Sequence, residues 1–179
     1  MGAANRQTAA TFWKEWQSRY GEVGPIAHQL RRAAAGHTWV RFYALPFGKR
    51  YAESAAEHRE VLRRAELLAI ALLGTRAACW LVQWQVLPLQ ANLSLPEPED
   101  DFDWLGRVTQ SNWQPGRFTR LLTDVANDRA GPLLWINRES GAIFAPYDGG
   151  FDLFPASTTE RDRMRERYAD WLSDRPDGL

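Results

Sequence analysis

The chain has 179 residues, with 22 Lys and Arg against 22 Asp and Glu, so its formal net charge is zero and its pI lies near 6.8. That balance lacks the basic excess of a nucleic-acid binder. Its 45% apolar and 25% charged residues describe an ordinary globular chain, long enough to bury one core.

The sequence predicts a single domain over 1–179, with an N-terminal helical pair (8–35), an α+β core (38–172) and a polar tail (173–179). Phe12, Trp13, Trp16 and Tyr20 recur at helical spacing and Gly21 ends that helix. Pro25 suits the first turn of a second helix running to Ala35. Over 38–45 the pattern alternates, with Val40, Phe42 and Ala44 on one face and Trp39, Arg41 and Tyr43 on the other, which reads as a strand ended by Pro46. After the loop 47–51, Ser54 and Glu57 fit a capping box. The helix that follows carries Val61, Leu62, Ala65, Leu68, Ala69 and Leu72 on one stripe and spaces Glu60 and Arg64 for an i,i+4 pair.

Residues 79–87 alternate again, with Trp80, Val82, Trp84 and Val86 opposite Leu81, Gln83 and Gln85, as in a strand with one wetter face. Two prolines and five carboxylates make 89–104 a loop. A turn at 112–117 leads to a helix over 118–128, broken by Gly131-Pro132. Leu133–Ile136 reads as a central strand, joined through 137–141 to a partner at 142–145. Phe151–Phe154 reads as a short strand, and Ser157 with Glu160 starts a terminal helix that turns Met164, Tyr168, Trp171 and Leu172 inward. Hairpins dominate and the helices are grouped, so the expected fold class is α+β: a small, mainly antiparallel sheet with helices packed on one side.

Three segments concentrate chemistry. The turn Tyr147-Asp148-Gly149-Gly150-Phe151-Asp152 places two carboxylates beside glycines. Its carboxylates can cap the turn while the glycines supply positive φ, or they can serve a ligand. Too few acidic positions and no closing Glu are present for a calcium loop. The loop with Lys49, Arg50 and Tyr51 lacks the glycines of a phosphate-binding loop; a buried ion pair from Arg50 to Asp148 or Asp152 is the structural expectation, and exposed recognition of an acidic surface is the functional one. The acidic segment Glu97, Glu99, Asp100, Asp101, Phe102, Asp103 and Trp104 sets two aromatic anchors among carboxylates, a pattern suited to a basic protein partner.

His28, His37 and His58 have no metal-ligand spacing, and no nucleophile elbow is present, so the reading is non-enzymatic with no metal and no cofactor. Cys79, within an apolar run, reads as a core residue. One cysteine, no leader segment and no apolar stretch long enough to span a bilayer lead to the expectation of a cytoplasmic protein with neither membrane nor nucleic acid as partner.

The segment Leu45-Pro46-Phe47-Gly48-Lys49-Arg50-Tyr51 ahead of a helix resembles a bacterial domain family of unknown function. So does the later Tyr147–Asp152 turn, a residue shorter here, ahead of a helix with Tyr168 and Trp171-Leu172. The resemblance implies no activity. The general build, small and Trp-rich, is similar to the immunity proteins of bacterial toxin systems. That similarity implies a protein that occludes a cognate toxin, with 97–104 meeting a basic groove. The competing expectation is a small enzyme or ligand-binding domain whose site lies between Lys49-Arg50-Tyr51 and Tyr147–Asp152.

Overall fold

An alternation of period two buries one side of a strand, and each such run in this sequence pairs with another. The computed structural model describes residues 3–34, 38–86 and 104–173. The strands are β1 (Val40–Tyr43), β2 (Ala78–Val86), β3 (Trp104–Asn112), β4 (Leu133–Asn137), β5 (Ile143–Tyr147) and β6 (Gly150–Phe154). They form one sheet in the order β1-β6-β5-β4-β2-β3, with every pairing antiparallel. The helices are α1 (Ala3–Tyr20), α2 (Ala27–Ala34), α3 (Ala55–Leu73), α4 (Thr119–Ala126) and α5 (Thr158–Arg167). The class is α+β.

Helices cover both faces of the sheet, not one. On the first face Val40, Phe42, Leu81, Trp135, Phe144 and Leu153 pack with α3, α4 and α5. On the second, Trp80, Val82, Trp84, Leu134, Ile136 and Ile143 pack with Phe12 and Trp16 of α1 and with Ile26 and Leu30. The wetter face of β2 runs from Cys79 and Leu81, buried in the α3 layer, through half-buried Gln83 to exposed Gln85. Tryptophan suits the second face because its body fills the layer while its N–H fastens a helix. Trp80 donates to Glu15 of α1 at 2.7 Å, and Trp84 donates to the Pro25 carbonyl at 2.9 Å.

A second correction concerns β3. Residues 104–112 form a nine-residue strand paired along its whole length with β2, so Trp104, expected in a loop, opens β3, and the rest of the expected loop (89–103) lies outside the described residues. The strand is mostly polar and sits at the sheet edge, so little hydrophobic pattern marks it.

The start of α3 follows its sequence closely. The Ser54 hydroxyl accepts from the Glu57 N–H at 3.2 Å, and the Glu57 carboxylate accepts from the Ser54 N–H at 3.1 Å. One turn on, Glu60 accepts from Arg63 at 2.7 and 2.8 Å and from Arg64 at 2.7 Å. Arg64 is buried and also donates to the Tyr43 carbonyl at 3.1 Å, which ties α3 to β1.

The Arg63 guanidinium, offset in part by burial and reinforced by Arg64, holds the Glu60 carboxyl down at about 2. A depressed folded-state pKa adds stability that is complete above the ordinary value of 4.5 and is lost as pH falls toward 2. Allowing for solvent screening, the Glu60→Gln variant is expected to lose about 1 kcal/mol at neutral pH and to show a shallower fall in stability between pH 4.5 and 2. Denaturant titrations across that window measure both.

Candidate functional site

The register of β1 against β6 sets Arg41 directly opposite Asp152. Both belong to the second face, beside the area covered by α1 and α2. A carboxylate that is 3% exposed needs strong donors, and Asp152 has three. Arg41 donates through two nitrogens to its two oxygens, both at 2.8 Å, and the Trp39 indole N–H donates to Oδ1 at 2.9 Å. This bidentate geometry is the strong form of the Arg–carboxylate pair. The Arg41 guanidinium also lies over the Tyr147 ring at 4.6 Å and near the Trp39 ring at 5.5 Å. Arg31 of α2 approaches Trp39 at 5.7 Å. Burial pushes the Tyr147 phenol well above its ordinary value, so it stays neutral and able to donate.

Gly150 makes this packing possible. A Cβ there would stand 2.3 Å from the Phe42 carbonyl and 2.7 Å from the Tyr147 hydroxyl. Neither Gly149 nor Gly150 adopts positive φ, contrary to the expectation for this turn. Gly149 serves through its carbonyl, which accepts from the Ala44 N–H at 3.1 Å.

The two sequence-marked segments converge at the other end of the same turn. Arg50 Nε donates to Asp148 Oδ2 at 2.6 Å, and the Tyr51 hydroxyl donates to the same oxygen at 2.9 Å. Arg50 therefore pairs with Asp148 and not with Asp152, and Asp148 takes side-chain donors in place of the expected backbone N–H groups. Lys49 turns toward α3 and donates to Glu53 and Glu57, both at 2.8 Å. Its ammonium, with the Glu53 N–H, holds the Glu57 carboxyl at about 2.

Beside these pairs lies a cleft of about 300 Å³. Ile26, Pro132, Leu133 and Leu134 line it with apolar surface, and Arg31, Arg41, Asp128, Asp148 and Asp152 line it with charges of both signs. Tyr147 and His28 also line it. The sequence reading missed Arg41, Trp39, Arg31 and Asp128. One signal was present: Arg41 stands between two aromatics on a strand face, where an isolated charge needs a partner.

Of the acidic segment, Glu97, Glu99, Asp100, Asp101, Phe102 and Asp103 lie outside the described residues, and Trp104 begins β3. Cys79 is buried, and burial pushes its thiol up to about 11, as befits a core residue. Among the described residues no cluster of three His, Cys, Asp or Glu side chains has the arrangement of a metal site, and no helix is long and apolar enough to cross a membrane.

The two pairs differ in the exposure of their arginines, and so in what losing each carboxylate should cost. Arg50 is 63% exposed in its pair with Asp148, so Asp148→Asn is expected to cost about 1 kcal/mol or less. Asp152→Asn leaves Arg41 buried without its anion and is expected to cost about 3 kcal/mol. Chemical denaturation of the two variants provides the comparison.

No curated protein and no solved structure matches the chain. A family profile described as Domain of unknown function (DUF3885) matches residues 26–86 and 82–176. The first segment carries Arg41 and Arg50, and the second carries Asp148 and Asp152, so the profile takes in both halves of the cleft wall. The chain belongs to the DUF3885 family.

Proposed function

We propose that this protein binds a small molecule in the cleft bounded by α2, the α4–β4 connection and the β5–β6 turn, and that it holds its ligand without transforming it. The observation that carries this reading is the convergence of Asp148 and Asp152 on one cleft wall, with both oxygens of Asp152 and Oδ2 of Asp148 engaged by fixed donors. A general base needs an oxygen aimed at the reacting proton. Asp152, with both oxygens spent on Arg41 and Trp39, is better placed to shape a pocket than to move protons, and Arg50 and Tyr51 hold Asp148 in place through Oδ2. A cleft of about 300 Å³ suits a compact ligand. Its apolar lining and charges of both signs favour an apolar body carrying a polar or zwitterionic end.

The test is a thermal-shift titration of the full chain with apolar α-amino acids and short aliphatic carboxylates and amines. A ligand at 100 times its Kd stabilises by about 2.7 kcal/mol. The expected result is a saturable rise in Tm in the native chain that Ala130→Phe, which crowds the cleft, removes. Absence of any shift across the panel, or equal binding by Ala130→Phe, contradicts the reading.

A second reading draws on the sequence of the acidic aromatic segment. In it the protein is cytoplasmic and neutralises a bacterial toxin, with Asp100, Asp101, Phe102, Asp103 and Trp104 covering a basic groove around the toxin's active site. Carboxylates around aromatic anchors speed encounter with such a groove. Co-expression with toxins encoded beside the gene is expected to rescue growth, and combined Asp100→Asn, Asp101→Asn and Asp103→Asn substitutions are expected to slow association at least tenfold. Failure of every neighbouring toxin to be neutralised contradicts it.

A further inference from the structure

Phe47 is fully exposed, at 105% of its reference area, and its φ is 59°. Both features run against stability. An exposed phenyl ring buries no area, and a bulky residue in the left-handed region is strained. Gly48 follows at φ 67°, so the chain takes two left-handed steps in succession to lift this side chain outward. Such strain persists where the surroundings over-determine it, and it collects at ligand clamps and contact sites.

The base of the segment is well fixed. Pro46 leads into the turn, and the Lys49 N–H donates back to the Pro46 carbonyl at 3.3 Å. Gly48 sits against the Tyr43 ring. Lys49 is tied to α3, and Arg50 and Tyr51 are tied to Asp148. Phe47 therefore stands on a braced turn. Among the described residues the exposed large hydrophobic side chains are Phe47, Tyr51 and Leu67, and two of these three lie four residues apart on this segment.

The geometry points to Phe47 as the anchor of a docking surface for a partner protein that offers an apolar, ring-sized pocket with a Lys- and Arg-rich rim. A rigidly presented aromatic entering a pocket is the usual form of an interface hot spot. The charges around it choose the rim. Lys49 and Arg50 pair with Glu53, Glu57 and Asp148, and Asp128 also acts on Arg50, so two cations meet four carboxylates, with Glu53 at 78% and Arg50 at 63% the most exposed members of the ion pairs. That surround disfavours an anionic lipid surface or nucleic acid and favours a basic rim. The inference shares its class of partner with the toxin-binding reading but rests on a different surface, and it is independent of the small-molecule cleft.

The test begins with the full chain carrying Phe47→benzoylphenylalanine, irradiated in its own cells, with the same group at Leu67 as control. The captured protein is then purified, and its Kd is measured against the native chain and the Phe47→Ala, Phe47→Gly and Leu67→Ala variants. The expected result is a loss of about 30-fold or more for both Phe47 variants, no change for Leu67→Ala, and Phe47→Gly at least as thermally stable as the native chain. Capture no greater than at Leu67 overturns the inference. So does an adduct with lipid, nucleic acid or a second copy of the chain, or an affinity unchanged by Phe47→Ala. The combined Asp100→Asn, Asp101→Asn and Asp103→Asn variant separates the two surfaces. If it keeps affinity while the Phe47 variants lose it, the acidic-segment reading fails alone. If it loses affinity while they keep it, the Phe47 inference fails alone.

Discussion

Asp152 is a buried carboxylate on a strand, and Arg41 and Trp39 supply donors to both of its oxygens. Its partner Arg41 lies on β1, a four-residue edge strand whose buried face, Val40 and Phe42, specifies the same register. A slip of one residue would turn Arg41 into the apolar layer under α3 and bring Val40 and Phe42 out of it. The bidentate bond, closed by the Trp39 indole, makes that slip costly. Burying an ion pair is a poor source of net stability, but a buried ion denied its partner is strongly unfavourable, so the pair acts as a register lock.

The rest of the site follows from that lock. With β1 held on β6, the Ala44 N–H reaches the Gly149 carbonyl and the chain enters the Pro46–Gly48 turn in a fixed direction. Arg50 and Tyr51 then fall on Asp148, four residues before Asp152 on the same turn. One side of that turn becomes the wall of the cleft, and the other braces the segment that presents Phe47. The cleft and the protruding ring are thus two consequences of one strand pairing.

What could be read from the sequence was local. The Ser54–Glu57 capping box, the Glu60–Arg64 pair and the inward stripe of α3 depend on spacings of three and four, which a helix converts directly into contacts. The alternation of Val40 and Phe42 with Arg41 gave the correct faces for β1. The convergence of the Lys49–Tyr51 and Tyr147–Asp152 segments was also anticipated, though not which aspartate Arg50 would choose. That choice depends on a strand register linking residues about a hundred positions apart, which spacing alone cannot supply. β3 was missed because a polar edge strand has its partner on one side and little apolar pattern. Helices on both faces were not anticipated because Gln83 and Gln85 mark one face of β2 as wet, and only its Cys79 and Leu81 end is buried in the α3 layer. The loop at 47–51 was legible, but the exposure of Phe47 follows from a left-handed backbone conformation that the sequence does not specify.

The register lock is tested most directly by a double-mutant cycle on Arg41→Met and Asp152→Leu, with each unfolding free energy taken from denaturant titration. If the pair does what its geometry implies, either single change is strongly destabilising and the double variant recovers much of the loss, with a coupling of about 2 kcal/mol or more. Single losses that simply add would contradict the account, because the two charges would then be independent of one another.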